Sequence, residues 1–211
     1  MDSKRDKINL FDEINLFDDK RTSARELVKL SDRERLLELL QNKALEVRKV
    51  TLSSGRISDY YIDCKRVTLS PEGAYLTAKL MLGMIGSDIA AVGGLTLGAD
   101  PIVSSVSVIS HIQRRDLPAL IVRKVPKKHG TMSFIEGPTL DKGVKVAVVD
   151  DVVTSGASLL RSIEKLAAEG YQPVQALAIL DRLEGGREAI EAAGYKLQSI
   201  FTRDDLNIKK L

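Results

Sequence analysis

The sequence predicts a doubly wound α/β fold, a mostly parallel sheet flanked by helices, and three observations carry that expectation. Short continuous apolar runs recur at Ile89 to Val92, Leu120 to Val122, Val144 to Val149, Val174 to Leu180 and Leu197 to Phe201. A strand buried on both faces has this pattern, because neither face needs polar residues. Helical segments, about Asp100 to Gln113, about Ser155 to Glu169 and Arg187 to Ala193, separate runs of this kind and supply the crossovers of a parallel sheet. Finally, 211 residues with 44% hydrophobic content are enough for one well-buried, soluble domain.

The elements follow in order. Residues 1–30 read as an extension: Ile8 to Asp12 (INLFD) recurs as Ile14 to Asp18, an echo too short and isolated for a solenoid. Met1 to Lys20 has no continuous apolar core of a secretory signal, and no apolar run approaches bilayer length. The domain, residues 31–211, opens at Ser31-Asp32-Arg33-Glu34, which has the form of a capping box. Leu36, Leu37, Leu40 and Ala44 then fall at helical spacing, giving a helix to about Ala44. From Leu45 to Lys65 the pattern is β-like and uneven, with a turn at Ser53-Ser54-Gly55 before the strand-like Tyr60-Tyr61-Ile62. Ser70-Pro71 starts another helix, with a cap followed by proline in the first turn.

Composition narrows the function. Aromatic residues make up 4% with no Trp, and the net charge is +3, so neither a base-stacking surface nor a nucleic-acid partner is expected. Cys64 is the sole cysteine, which excludes an intrachain disulfide and any multi-thiolate site; it reads as a small buried hydrophobe. A reducing, cytoplasmic location without a membrane partner is the expectation. Arg123, Lys124, Lys127 and Lys128 form a local basic cluster, a pattern that is ordinarily a solvated loop unless a second feature accompanies it.

In open sheets, ligands gather at the carboxyl ends of strands. There, Val146-Ala147-Val148-Val149 leads into Asp150-Asp151-Val152-Val153-Thr154-Ser155-Gly156-Ala157-Ser158 and then a helix. Unsatisfied amides and the dipole at that helix start, the hydroxyls of Thr154, Ser155 and Ser158, and close approach at Gly156 suit a phosphate monoester. The Gly-Lys-Ser/Thr ending of a nucleotide P-loop is missing. Two carboxylates beside a phosphate cradle repel a polyanion and need a purpose. Ribose hydroxyls would accept that role, as would a magnesium ion held with the substrate. Helix capping explains one such Asp more readily than the whole string.

This string resembles the phosphoribosyl pyrophosphate (PRPP) signature of type I phosphoribosyltransferases. Three further segments resemble orotate phosphoribosyltransferases within that superfamily: Arg123-Lys124-Val125-Pro126-Lys127-Lys128-His129-Gly130, their flexible loop; Asp181-Arg182-x-x-Gly-Gly, their base-recognition loop; and Ser54-Gly55-Arg56 through Tyr60-Tyr61-Ile62-Asp63. The resemblance runs from about Ser31 to the C-terminus. It implies the type I phosphoribosyltransferase fold, with a small N-terminal hood from residues 31–70 and the C-terminal part, and transfer of phosphoribose from PRPP to N1 of orotate.

By the same resemblance, PRPP is bound by Arg123, Lys124, Lys127, His129 and Asp150 through Ser158, and orotate by Arg182, Thr154, Tyr61 and Ile62. Lys127, His129, Asp150 and Asp151 are the expected catalytic residues. Arginine suits the orotate carboxylate because its planar fork binds bidentately. Magnesium is expected to arrive with PRPP, and a homodimer with shared sites is implied. The loop Gly93 to Asp100 matches the family's pyrophosphate loop more loosely, with a strained peptide bond expected near Leu95-Thr96. Leu97 and Ser53 stand where some relatives carry lysine, leaving backbone amides, the basic loop, Lys65 or Arg66 to make up the charge. A purine phosphoribosyltransferase would share Asp150 to Ser158 without needing Arg182. A non-catalytic PRPP sensor that binds nucleic acid is disfavoured by the sparse aromatics and small net charge.

Overall fold

The computed structural model describes residues 30–51, 57–126 and 133–208. The INLFD echo, Ser53 to Arg56, Lys127 to Met132, and Lys209 and Lys210 lie outside them.

Helix α1 (Asp32–Leu39) opens on the expected capping box: the Ser31 hydroxyl accepts from the Glu34 amide, and the Glu34 carboxylate accepts from the Ser31 amide at 2.8 Å. Its last turn widens into a π-helical turn over Leu40–Ala44. The uneven stretch resolves into four two-residue strands: β1 (Leu45–Glu46), β2 (Val50–Thr51), β3 (Ile57–Ser58) and β4 (Tyr61–Ile62). They pair as two antiparallel ladders, β1 with β4 and β2 with β3, apart from the main sheet. A single helical turn, α2 (Lys65–Thr68), precedes α3 (Pro71–Met84), which the Ser70 hydroxyl caps at the Gly73 amide.

The regular part follows as β5 (Ala91–Leu95), α4 (Asp100–Ile112), β6 (Ala119–Val122), β7 (Ile135–Glu136), β8 (Lys145–Val153), α5 (Ala157–Ala168), β9 (Gln172–Asp181), α6 (Gly186–Ala192), β10 (Leu197–Thr202) and a 3-10 turn over Arg203–Leu206. The main sheet has the order β10-β9-β8-β5-β6-β7, parallel throughout except for β7 at one edge. The chain builds outward from β5 to β6 and β7, then returns to β8 on the other side. Between β5 and β8 the strand order therefore reverses, and the loops leaving their carboxyl ends diverge to open a crevice.

The apolar runs do not alternate in polarity, yet they alternate between two cores, as a period of two requires. Ala147, Val149, Leu177 and Ile179 join Leu36, Leu40, Met81, Ile102 and Phe201 on one face. Val146, Val148, Ala176 and Ala178 join Leu159, Ile163, Leu166 and Ile190 on the other. The N-terminal helix thus shares a core with the sheet. It is also tied to the C-terminal turn, by Arg33 to Asp205 at 2.7 Å and by the Gln41 amide to the Leu206 carbonyl. Cys64 is fully buried, and burial pushes its thiol well above the ordinary range.

Candidate active site

Strand β8 runs four residues past its apolar stretch because β9 continues to pair with it: Asp150 faces Ala178, Val152 faces Leu180 and Val153 faces Asp181. The sequence places the two acids after the strand; the structure places them within it. The chain then turns through Thr154 to Gly156, where Gly156 adopts φ +78° and a Cβ would sit 3.0 Å from the Gly186 carbonyl. Both features favour glycine. Helix α5 starts at Ala157, two residues after the expected Ser155. Asp150, Val152, Val153, Thr154, Ser155, Gly156, Ala157 and Ser158 enclose a cavity of about 190 Å³ against that helix start. Eight expected PRPP contacts therefore converge on one cradle, lined by amides at the positive end of a dipole.

A second cavity of about 300 Å³ shares Asp150 and Ser158 with the first and is completed by Lys65, Leu95 through Gly98, Lys124 and Asp151. It sits in the crevice between β5 and β8. The Thr96–Leu97 peptide bond is cis, one step beyond the expected position, and the Thr96 hydroxyl donates to Asp100 at 2.7 Å. A Cβ on Gly98 would fall on the Asp151 carboxylate, so the loop approaches that acid as closely as backbone can. Leu97 is exposed and carries no charge into the cavity. Lys65 does: its ammonium lies 2.6 Å from Asp63 and 4.0 Å from Asp151. Arg66 instead pairs with Glu46 at 2.7 Å.

The two carboxylates are electrostatically unequal. Asp150 is 7% exposed, and burial together with repulsion from Asp151 holds its carboxyl well above the ordinary range. Burial also raises Asp151, opposed chiefly by the attraction of Lys65. Each acid accepts a backbone amide, Asp151 N–H to Asp150 and Val152 N–H to Asp151. Both lie in position to accept from hydroxyls of a ligand spanning the two cavities.

The entry to the basic segment is fixed. The Lys165 ammonium on α5 donates to the carbonyls of Arg123 at 2.7 Å and Lys124 at 3.0 Å, and stands 3.9 Å over the Phe134 ring. Lys124 lines the larger cavity, while the Arg123 guanidinium pairs with Glu136 on edge strand β7 at 2.8 Å. Lys127 and His129 fall outside the described residues.

Arg182 follows β9, and its amide donates to the Val153 carbonyl at 2.9 Å, which sets it beside the cradle. Its guanidinium is nearly buried. Glu184 accepts from Nε at 2.8 Å, Ser58 Oγ accepts from Nη2 at 2.9 Å, and the Tyr60 ring lies 4.2 Å below. Of the two residues expected to line the base, Tyr61 is half-buried with Arg48 over its ring, and Ile62 belongs to the core. The sequence assigns no site role to Ser58, Tyr60 or Glu184, although the first two lie inside the Ser54 to Asp63 segment and the third inside Asp181-Arg182-x-x-Gly-Gly. Among the described residues no helix is long and apolar enough to cross a membrane.

A scan against protein-family models finds no match. Curated relatives are more informative. The chain is 47% identical over 174 residues to an orotate phosphoribosyltransferase of Nostoc, covering 82% of this chain and 84% of that one. It is 50% identical over 174 residues to that of Thermosynechococcus vestitus, covering 82% and 92%. The chain belongs to the orotate phosphoribosyltransferase family. Among solved structures, the Mycobacterium tuberculosis orotate phosphoribosyltransferase in complex with PRPP superimposes with a TM-score of 0.70 at 37% identity, covering 84% of this chain and all of that one. As a family member the chain is a transferase with the type I phosphoribosyltransferase fold, and the purine and sensor alternatives fall away.

Proposed function

We propose that this orotate phosphoribosyltransferase family member transfers the 5-phosphoribosyl group of PRPP to N1 of orotate, yielding orotidine 5'-monophosphate and pyrophosphate in de novo pyrimidine synthesis. The observation that carries the reading is the pair of adjoining cavities with Asp150 and Ser158 common to both. One is shaped for a phosphate monoester and the other is lined by Lys65, Lys124 and a glycine-bearing loop, so a sugar carrying a phosphate at each end fits across the two carboxylates.

In this reading Thr154 through Ser158 hold the 5-phosphate on the amides of α5, and Asp150 and Asp151 accept from the ribose hydroxyls. Pyrophosphate lies along Thr96 to Gly98 beside Lys65 and Lys124, with Lys127 and His129 joining from the basic loop and His129 donating a proton as charge develops. Arg123 also belongs to this set once it parts from Glu136. Orotate stands with its carboxylate on Arg182 and its ring near Thr154, Tyr61 and Ile62. As the bond from C1 to pyrophosphate loosens toward an oxocarbenium-like state, Asp151 stabilises the positive ribose and N1 attacks from the opposite face.

Magnesium fits this site on the chemistry of its donors: the adjacent carboxylates of Asp150 and Asp151 are hard oxygen ligands, and the substrate's phosphates would supply the others. Bound with PRPP, the ion would neutralise part of the pyrophosphate charge. The hood would come from residues 31–70 and the C-terminal turn that α1 grips. A cytoplasmic homodimer with shared sites completes the proposal.

Incubating the chain with magnesium, PRPP and orotate, adenine or hypoxanthine in turn tests the reaction: orotate alone should be consumed. Turnover near wild type in Lys127→Ala would remove the basic loop from the mechanism.

A further inference from the structure

Arg182 is the most deeply buried arginine in the neighbourhood of the site, with 4% of its side chain exposed. A guanidinium cannot shed its charge, so burying it demands a permanent anion. In the structure that anion is Glu184, two residues along the chain, whose carboxylate accepts from Nε at 2.8 Å. The other two contacts, the Ser58 hydroxyl and the Tyr60 ring, are neutral.

The neighbouring acid cannot take this part. Asp181 is fully buried, accepts from the Leu183 amide at 2.9 Å and pairs with Arg187 at 2.9 Å. Two ion pairs thus lie side by side with different characters. Asp181 with Arg187 is locked within β9 and α6. Glu184 is 21% exposed at its side chain and stands on a sharp turn between Leu183 at φ +56° and Gly185 at φ +94°. Glu184 is thus the solvent-side partner of its pair, while Arg182 stays within the fold.

We infer that Glu184 is an internal stand-in for the substrate's carboxylate: it neutralises Arg182 until the base arrives, and orotate binds by exchanging its own carboxylate for that of Glu184. The inference rests on the reading of Arg182 as the orotate anchor. Under it Arg182 is never buried without an anion, and Ser58 and Tyr60 hold the fork in one orientation through the exchange. A carboxylate on the base is then needed to open the pocket, because a neutral pyrimidine offers nothing to replace Glu184. The exchange also weakens orotate binding, since every binding event must break an existing ion pair. Glu184 is in this sense a positioning and specificity residue, not a catalytic one.

Steady-state kinetics on Glu184→Gln test the exchange. With no competing anion, the KM for orotate should fall about tenfold, equivalent to about 1.4 kcal/mol, while the KM for PRPP stays within twofold. The free variant should melt lower than wild type, and saturating orotate should raise its melting temperature by more than it raises that of wild type. An orotate KM that is unchanged or higher would overturn the exchange. Should the variant fail to fold, a crystal structure of the wild-type chain soaked with orotate decides: Glu184 must have left Arg182, and a carboxylate still 2.8 Å from Nε rejects the proposal. Arg182→Ala separates the two layers. If it leaves the orotate KM unaltered, the anchor reading itself fails; if it raises the KM while Glu184→Gln lowers nothing, only the exchange does.

Discussion

The Lys65 ammonium stands 4.0 Å from the Asp151 carboxylate, inside the larger cavity and on a helical turn of only four residues. It brings positive charge to a cavity wall where Leu97 offers none. It also holds the Asp151 carboxyl down against the effect of burial. Replacement by methionine should therefore act twice. Loss of a charge-assisted contact to a ligand costs about 1.5–3 kcal/mol, so the KM for PRPP should rise roughly ten- to hundredfold. Without Lys65 the Asp151 carboxyl titrates higher, so the acidic limb of kcat/KM against pH should move to higher pH. A profile that keeps its acidic limb would mean Lys65 does not govern Asp151.

Asp150 makes the opposite kind of prediction, one of stability against function. Its carboxyl is raised in the folded chain by burial and by Asp151. A carboxyl whose folded value exceeds its unfolded value stabilises the fold below the unfolded value and loses that contribution as pH rises through the folded one. The buried carboxyl therefore becomes a growing burden on the fold as the pH rises. Asp150→Asn should stabilise the free protein at pH 7.5 by about 1 kcal/mol, or roughly 2–4 °C in Tm for a chain of this size. The gain should shrink as the pH is lowered toward 4.5, while turnover with PRPP drops about ten- to hundredfold at neutral pH. Equal gains in Tm at both pH values would disconnect the effect from ionisation.

Local signals foretold most of this framework. The capping box at Ser31 and the Ser70-Pro71 start appear at the expected residues, because a helix start depends on a handful of neighbouring atoms. The apolar runs mark every central strand, since burial on both faces leaves its trace in each run. What escaped depends on partners distant in sequence. Strand β7 is two residues long and exists because Ile135 and Glu136 meet Val122 and Ile121 at an otherwise open edge. The setting of Arg182 needs Ser58, 124 positions away, and the turn at Lys65 gains meaning only when the fold brings it to Asp151. The convergence of Asp150 to Ser158 was legible because a single strand, turn and helix holds all of it.

Two glycines separate the demands of binding from those of folding. At Gly98 the backbone angles are ordinary and the obstacle to a Cβ is the Asp151 carboxylate. Gly98→Ala should fold with little change in Tm yet raise the KM for PRPP about tenfold, because Asp151 must move from its place beside Lys65. At Gly156 the obstacles are φ +78° and the Gly186 carbonyl. Gly156→Ala should therefore lose stability, by about 1–3 kcal/mol, as well as activity. Thermal melts and PRPP titrations on both variants check the division; an unstable Gly98→Ala would show that the loop is part of the folding core.

Arg182→Lys isolates geometry from charge at the base pocket. Lysine would keep the positive charge that balances Glu184, but at this buried, stacked position it forfeits the fixed donors of the fork, so the fold should lose about 1–3 kcal/mol. It cannot reproduce the planar fork that reaches Glu184 and Ser58 at once while lying 4.2 Å from the Tyr60 ring. A substrate carboxylate on that fork would go from two parallel hydrogen bonds to one mobile contact, a loss of about 1–2 kcal/mol or roughly tenfold in the KM for orotate. The cradle proposed for the PRPP phosphate is lined by Thr154 through Ser158 and not by the guanidinium, so the KM for PRPP should change by less than about threefold. Initial rates with each substrate varied in turn measure the split. A matching rise in both constants would place Arg182 in the support of the phosphate cradle through its amide bond to Val153, and the base anchor would have to be sought elsewhere in the hood.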